Sequence, residues 1–157
     1  MTITRRTLPA LLAGFPIASL EILAAVRGDE VLYVGGTVQG VEEATEGELD
    51  TKDPEKLTFT SKTGGFQIPY KSITSLEYGQ KAGRRVGVAI VITVWALFSK
   101  KRKHFLTIGF NDEAGQPQGV VLEIGKRHVK KTIVVVEVRS GRRVEYESEE
   151  ARKHVHG

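Results

Sequence analysis

An uncharged apolar run of 13 residues, Val86 to Phe98, closed on both sides by positive charge, limits most sharply what this chain can become. Arg84 and Arg85 precede it, and Lys100, Lys101, Arg102 and Lys103 follow after a single serine. A helix needs about 20 apolar residues to cross the hydrocarbon of a bilayer, so the run falls short of a transmembrane span. It is also longer and more apolar than an ordinary strand requires. A short buried helix, a membrane-dipping helix or hairpin, and a core strand with its turn all fit, and periodicity does not choose between them. Lys and Arg beside an apolar run are drawn to anionic surfaces. The run therefore reads as a contact surface, with Val86, Ile90, Ile92, Trp95 and Phe98 meeting bilayer or a hydrophobic protein partner. Arg84, Arg85, Lys100, Lys101, Arg102 and Lys103 then face headgroup phosphates. In the competing reading the run is core and its basic ends are simply solvated.

Charge is distributed unevenly around this stretch. The net charge is +4, but Glu42, Glu43, Glu46, Glu48, Asp50, Asp53 and Glu55 form an acidic segment upstream of the basic one. Such asymmetry gives a dipolar molecule with one face suited to anions. There is no cysteine, which excludes disulfides, thiolate metal sites and cysteine nucleophiles. Seventeen glycines against five prolines imply many tight turns, as in a β-rich domain. A chain of 157 residues is long enough for one domain with a sizeable core.

Residues 1–26 have a basic start, an apolar stretch from Leu8 to Val26, and small residues at Ala24 and Ala25. That order is the layout of an export signal or an N-terminal anchor, and Arg5-Arg6 resembles a twin-arginine start. Glu21, Pro9, Pro16 and the poorly placed Leu23 count against a cleaved signal. An amphipathic N-terminal helix is the alternative. The expected address is exported, periplasmic or membrane-associated, with the cytoplasm as the alternative.

From residue 27 to 147 the pattern is that of strands. Val31–Val34 ends at Gly35-Gly36 and Thr37–Gly40 resumes after the bend, followed by a polar turn entering a short strand at Gly47–Asp50. Leu57 and Phe59 alternate with Thr58 and Thr60, Lys62–Gly65 makes a hairpin loop, and Phe66, Ile68 and Tyr70 return. Pro69 marks an edge or a strand end. Lys103–Phe110 and Gly119–Ile124 form a second antiparallel pair around the turn chemistry of Asn111–Gly115. Each strand is expected to keep one wet face. His128–Ser140 is ambiguous. Ile133–Val136 has strand propensity, whereas Val129, Thr132, Ile133 and Val136 fall at helical spacing and Gly141 suits a C-terminal cap, which leans to helix. Val144–Tyr146 reads as extended, and residues 148–157 as a charged, mobile tail.

The passages IPYKSITSLEYG and KKRKHFLTIGF, with the glycine-punctuated first strand and the segment ending at Ser140-Gly141, resemble a bacterial pleckstrin-homology-like (PH/GRAM-like) domain. The resemblance covers roughly residues 30–147. It implies a mainly β fold, a bent antiparallel sheet or partial barrel with a C-terminal helix over one open end, and hence a helix at 128–140. It also implies a lipid- or protein-binding module without chemistry. The apolar insertion at 86–98, read as helical, departs from the usual pattern and favours a membrane-contacting variant. No phosphoinositide signature is matched.

No catalytic motif stands out, so no enzymatic activity and no cofactor are expected. His104 starts a strand after a basic cluster and is expected to be exposed or capping; His154 and His156 flank Val155 in the tail, and His128 stands alone. None forms a metal site by spacing. The acids at 42–55 lack the loop spacing of a calcium hand, and Gly35–Gly40 lacks the Lys-Ser/Thr of a phosphate loop. The basic cluster at 100–103 has no exposed stacking platform beside it, so nucleic acid is not an expected partner. The sequence supports a binding module at an anionic membrane surface or on a hydrophobic partner. The alternative is a soluble structural or interaction domain.

Overall fold

The computed structural model describes residues 29–80 and 104–157. The β-rich expectation holds: eight strands form a single curled sheet, a half-barrel, and two helices follow near the C-terminus. The strands are β1 (Asp29–Gly36), β2 (Thr45–Asp50), β3 (Lys56–Ser61), β4 (Gly65–Pro69), β5 (Ile73–Gly79), β6 (Phe105–Asn111), β7 (Pro117–Ile124) and β8 (Val144–Tyr146). The helices are α1 (Lys126–Ser140) and α2 (Glu149–His156). Strand order across the sheet is β4-β3-β2-β1-β7-β6-β5-β8, antiparallel except where β8 joins β5 in parallel.

The register brings one parity of each strand onto a common concave face. Val31 and Tyr33 on β1 stand beside Ile124 and Leu122 on β7; Leu122 and Val120 pair with Leu106 and Ile108 on β6. Those two pair in turn with Tyr78 and Leu76 on β5. At the other end Leu49, Phe59 and Phe66 continue the layer, and the rings of Tyr33, Phe59 and Phe66 lie 5.1–6.0 Å apart. Gly47 makes this cluster possible, because a Cβ there would meet the Phe59 ring at 2.6 Å and the Thr60 carbonyl oxygen at 2.4 Å. A half-barrel leaves its concave face open, and α1 closes it with Val129, Thr132, Ile133 and Val136, all buried.

The ambiguity at 128–140 therefore resolves to helix, because the apolar stripe at three- and four-residue spacing matches an open groove. Gly141 ends α1 at φ 67°, with its N–H bonded to the Glu137 carbonyl at 2.9 Å. This is the left-handed cap a glycine adopts without steric cost. Near that end, Arg139 ties α1 to the β2–β3 connection. Its guanidinium donates to the carbonyls of Thr51, Asp53 (2.7 Å) and Lys52 (3.4 Å) and to the Tyr70 hydroxyl (3.3 Å).

Three expectations change. Thr37–Gly40 is not a resumed strand but part of the loop between β1 and β2, held by Thr37 hydrogen bonds with Gln118 and Gly119. The centre of the sheet is dry on both sides: Val34, Phe105, Thr107 and Val121 are buried on the face away from the core. Strands whose two parities are both short of charge behave this way when they lie centrally. Residues 148–157, read as a tail, carry α2, whose Ala151 and Val155 are buried against the main core. Ser148 caps it by accepting from the Ala151 N–H at 3.2 Å. Glu149 and Glu150 occupy its first turn, while Lys153, His154 and His156 occupy its last, the polarity a helix macrodipole favours.

Candidate functional site

Helix α1 has the opposite polarity. Its first six residues include Lys126, Arg127, Lys130 and Lys131, all exposed, with no acid in the first turn and no side-chain cap at Gly125. Cations at a helix N-terminus oppose the partial positive charge of the unpaired N–H groups, typically at 0.3–1 kcal/mol each at the surface. The first acid in the helix is Glu137, whose carboxylate accepts from the Val144 N–H at 2.7 Å. Among the described residues no ion pair to an acid is seen for the four cations, whereas Arg152 on α2 lies 3.9 Å from Glu149. The helix is stabilised by what it buries, and its exposed charges work against it.

Those charges continue into an apolar stripe. At 3.6 residues per turn, Arg127, Lys130, Lys131, Val134 and Val138 fall on one side, directly opposite the buried face. Val134 is 45% and Val138 76% exposed, and they are the exposed large hydrophobic residues of the described structure. The result is an outward face with cations on its N-terminal half and two valines, one turn apart, on its C-terminal half. Lys and Arg on such a face place their charge at phosphate depth while apolar neighbours reach the acyl boundary.

A second constellation lies where α2 meets β5, β6 and β8. His104 is buried at 8% exposure, and its Nδ1 lies 2.6 Å from the Tyr78 hydroxyl. His154 of α2 stacks on the His104 ring with centroids 4.5 Å apart and planes 15° off parallel. Tyr146 of β8 meets the Tyr78 ring edge-on at 6.1 Å, and its hydroxyl bonds the His156 Nε2 at 2.9 Å. Burial holds His104 below the ordinary histidine range; the charges of His154 and Lys126 act in the same direction and Glu123 against it. Burial also pushes the Tyr78 phenol up to about 12, so it remains a neutral hydrogen-bond partner. The expectation that His104 is exposed or capping is thus corrected. It immediately precedes β6, and α2, whose His154 stacks on it, was not foreseen.

The site residues expected from sequence, Arg84, Arg85, Lys100, Lys101, Arg102 and Lys103 with Val86, Ile90, Ile92, Trp95 and Phe98, lie outside the described residues. So do the export signal or anchor of residues 1–26 and the insertion at 86–98. The acids at 42–55 are spread over a loop, β2 and a turn: Asp53 accepts from the N–H groups of Glu55 and Lys56, and Asp50 from that of Lys52. Among the described residues no group of acids and histidines is arranged to hold a metal ion. No described helix is long and apolar enough to cross a membrane. The α1 face is carried in sequence by the spacing Arg127-Lys131-Val134-Val138, which the stripe at Val129, Thr132, Ile133 and Val136 on the opposite side masks. Comparison with known proteins finds no family model that matches this chain and no curated protein that matches it significantly.

Proposed function

We propose that this protein is a non-enzymatic, pleckstrin-homology-like binding module that associates peripherally with an anionic membrane surface. The observation that carries this reading is the α1 face: exposed Arg127, Lys130 and Lys131 in the first six residues of a helix whose N-terminus they destabilise, running into exposed Val134 and Val138. Side chains that oppose local stability without packing in return are expected where function uses them. A negatively charged surface reverses that penalty. Each Lys or Arg held near anionic lipid contributes about 1 kcal/mol, so the three on this face together help to retain a domain. The sequence adds a second contact of the same chemistry, the apolar run 86–98 between Arg84-Arg85 and Lys100–Lys103. Strand content, a curled sheet and a helix over its open face support the pleckstrin-homology-like comparison. An exported or membrane-bound location fits the N-terminal apolar stretch.

Flotation of the full chain with vesicles of phosphatidylcholine alone, and with phosphatidylserine added, tests the proposal. Binding is expected only with the anionic lipid, and it should weaken as salt rises. Replacing Lys100, Lys101, Arg102 and Lys103 by Gln should weaken it further. Equal recovery with neutral and anionic vesicles, or none with either, would count against membrane association and leave a soluble interaction domain as the better account.

A further inference from the structure

The His104–His154 stack has no part in the surface just described, and it joins the last helix of the chain to the sheet. We propose that α2 is an acid-released latch: it docks against the neutral, buried His104 ring on which His154 stacks, and lets go as acidification makes His104 cationic. The geometry gives the reason. The ring centroids are 4.5 Å apart and nearly parallel, and one ring is 8% exposed, so little water can screen two positive charges there. From β5 the Tyr78 hydroxyl faces His104, and its oxygen can accept from a protonated ring as readily as it donates to a neutral one. That bond reverses without breaking. Lys126 from α1 adds a like charge, while Glu123 from β7 offsets part of it. On the far side of Tyr78, Tyr146 of β8 holds His156, a second contact between sheet and latch. The rest of the α2 contact is small, with Ala151 and Val155 as its buried residues.

The sign follows from linkage. His104 binds a proton less readily docked than it would in water, so the released state takes up protons first. Docking is constant at high pH, weakens as pH falls below about 6.5, and levels off once the docked ring is itself protonated. For one proton taken up on release, the opening constant rises at most tenfold per pH unit.

Amide hydrogen exchange on the full chain between pH 5 and 8, corrected for intrinsic exchange, reads that constant in each helix separately. Protection of Arg152–His156 in α2 should be flat above pH 7 and fall several-fold to tenfold from pH 6.5 to 5.5. Protection at Val136 in α1 should not change with it. His154→Phe retains a stacked ring without its charge and should show a shallower fall. His104→Gln retains an acceptor for Tyr78 and should be flat. PH-independent protection of α2 in the wild type, parallel loss in both helices, or a His154→Phe profile matching the wild type would each overturn the latch.

Discussion

Two identical substitutions two residues apart test whether α1 is the element that closes the half-barrel. Val136 is fully buried in the core, whereas Val134 is 45% exposed on the opposite side of the helix. Val136→Ala removes two buried carbons, about 1.6 kcal/mol at ~0.8 kcal/mol per methylene, and the cavity left behind brings the loss to about 2 kcal/mol. Alanine is the better helix former by about 0.5 kcal/mol, and this gain applies at both positions. Val136→Ala should therefore destabilise by about 1.5 kcal/mol, and Val134→Ala should be neutral or stabilise by about 0.5 kcal/mol. The gap of about 2 kcal/mol is free of the propensity correction because both variants share it. Urea unfolding followed by circular dichroism resolves such a gap, and at this chain length it corresponds to a separation of about 4–8 °C in Tm. In a strand, positions 134 and 136 would lie on the same face and respond alike. Equal midpoints for the two variants would refute the helix and with it the closure of the concave face.

Other sites give sharper local tests. Arg139→Ala strips donors from the carbonyls of Thr51 and Asp53 and from the Tyr70 hydroxyl, and should cost about 2–4 kcal/mol in urea unfolding. Arg139→Lys should recover little of it, because one ammonium cannot reproduce the planar fork. Gly47→Ala should destabilise severely and disturb the ring-current shifts of Phe59 and Tyr33 in NMR spectra, since the added carbon falls on the Phe59 ring; unchanged aromatic shifts would argue against that packing. Asp112 accepts from the N–H groups of Gln116 and Ala114 and from the Gln118 side chain, which hold its carboxyl below the usual aspartate range. Its contribution is thus present above pH ~4 and lost as pH falls through the lowered value, and an NMR titration of Asp112 at or above ~3.9 would contradict this.

The strands were legible where one parity was apolar and the other polar, as at Leu57-Thr58-Phe59-Thr60 or Phe66-Gln67-Ile68, because a half-buried sheet imposes that alternation. They were less legible at Phe105–Phe110, where both faces are buried and parity carries no signal. The helix at 126–140 was readable from Val129, Ile133, Val136 and Gly141, but β-branched residues obscured it: local preference pointed to strand, and only the open groove of the sheet decides. The α2 helix carried an N-cap signature in Ser148-Glu149-Glu150. With eight residues and two buried side chains, its apolar period was too short to register. The Tyr78–His104–His154 cluster could not have been read, since its members are 26 and 50 residues apart and meet only through sheet pairing and the docking of α2. The outward stripe of α1 was written plainly at 127, 130, 131, 134 and 138, and needed only the knowledge of which side of the helix is inside.

The membrane reading is tested most directly by replacing Arg127, Lys130 and Lys131 together by Gln and measuring partition to phosphatidylserine-containing vesicles alongside unfolding stability. At about 1 kcal/mol for each cation, partition should fall on the order of a hundredfold. Stability should hold or rise, because the lost charges opposed the helix dipole. A variant that is as stable as the wild type and partitions equally well would contradict the assignment of α1 as the membrane-facing surface.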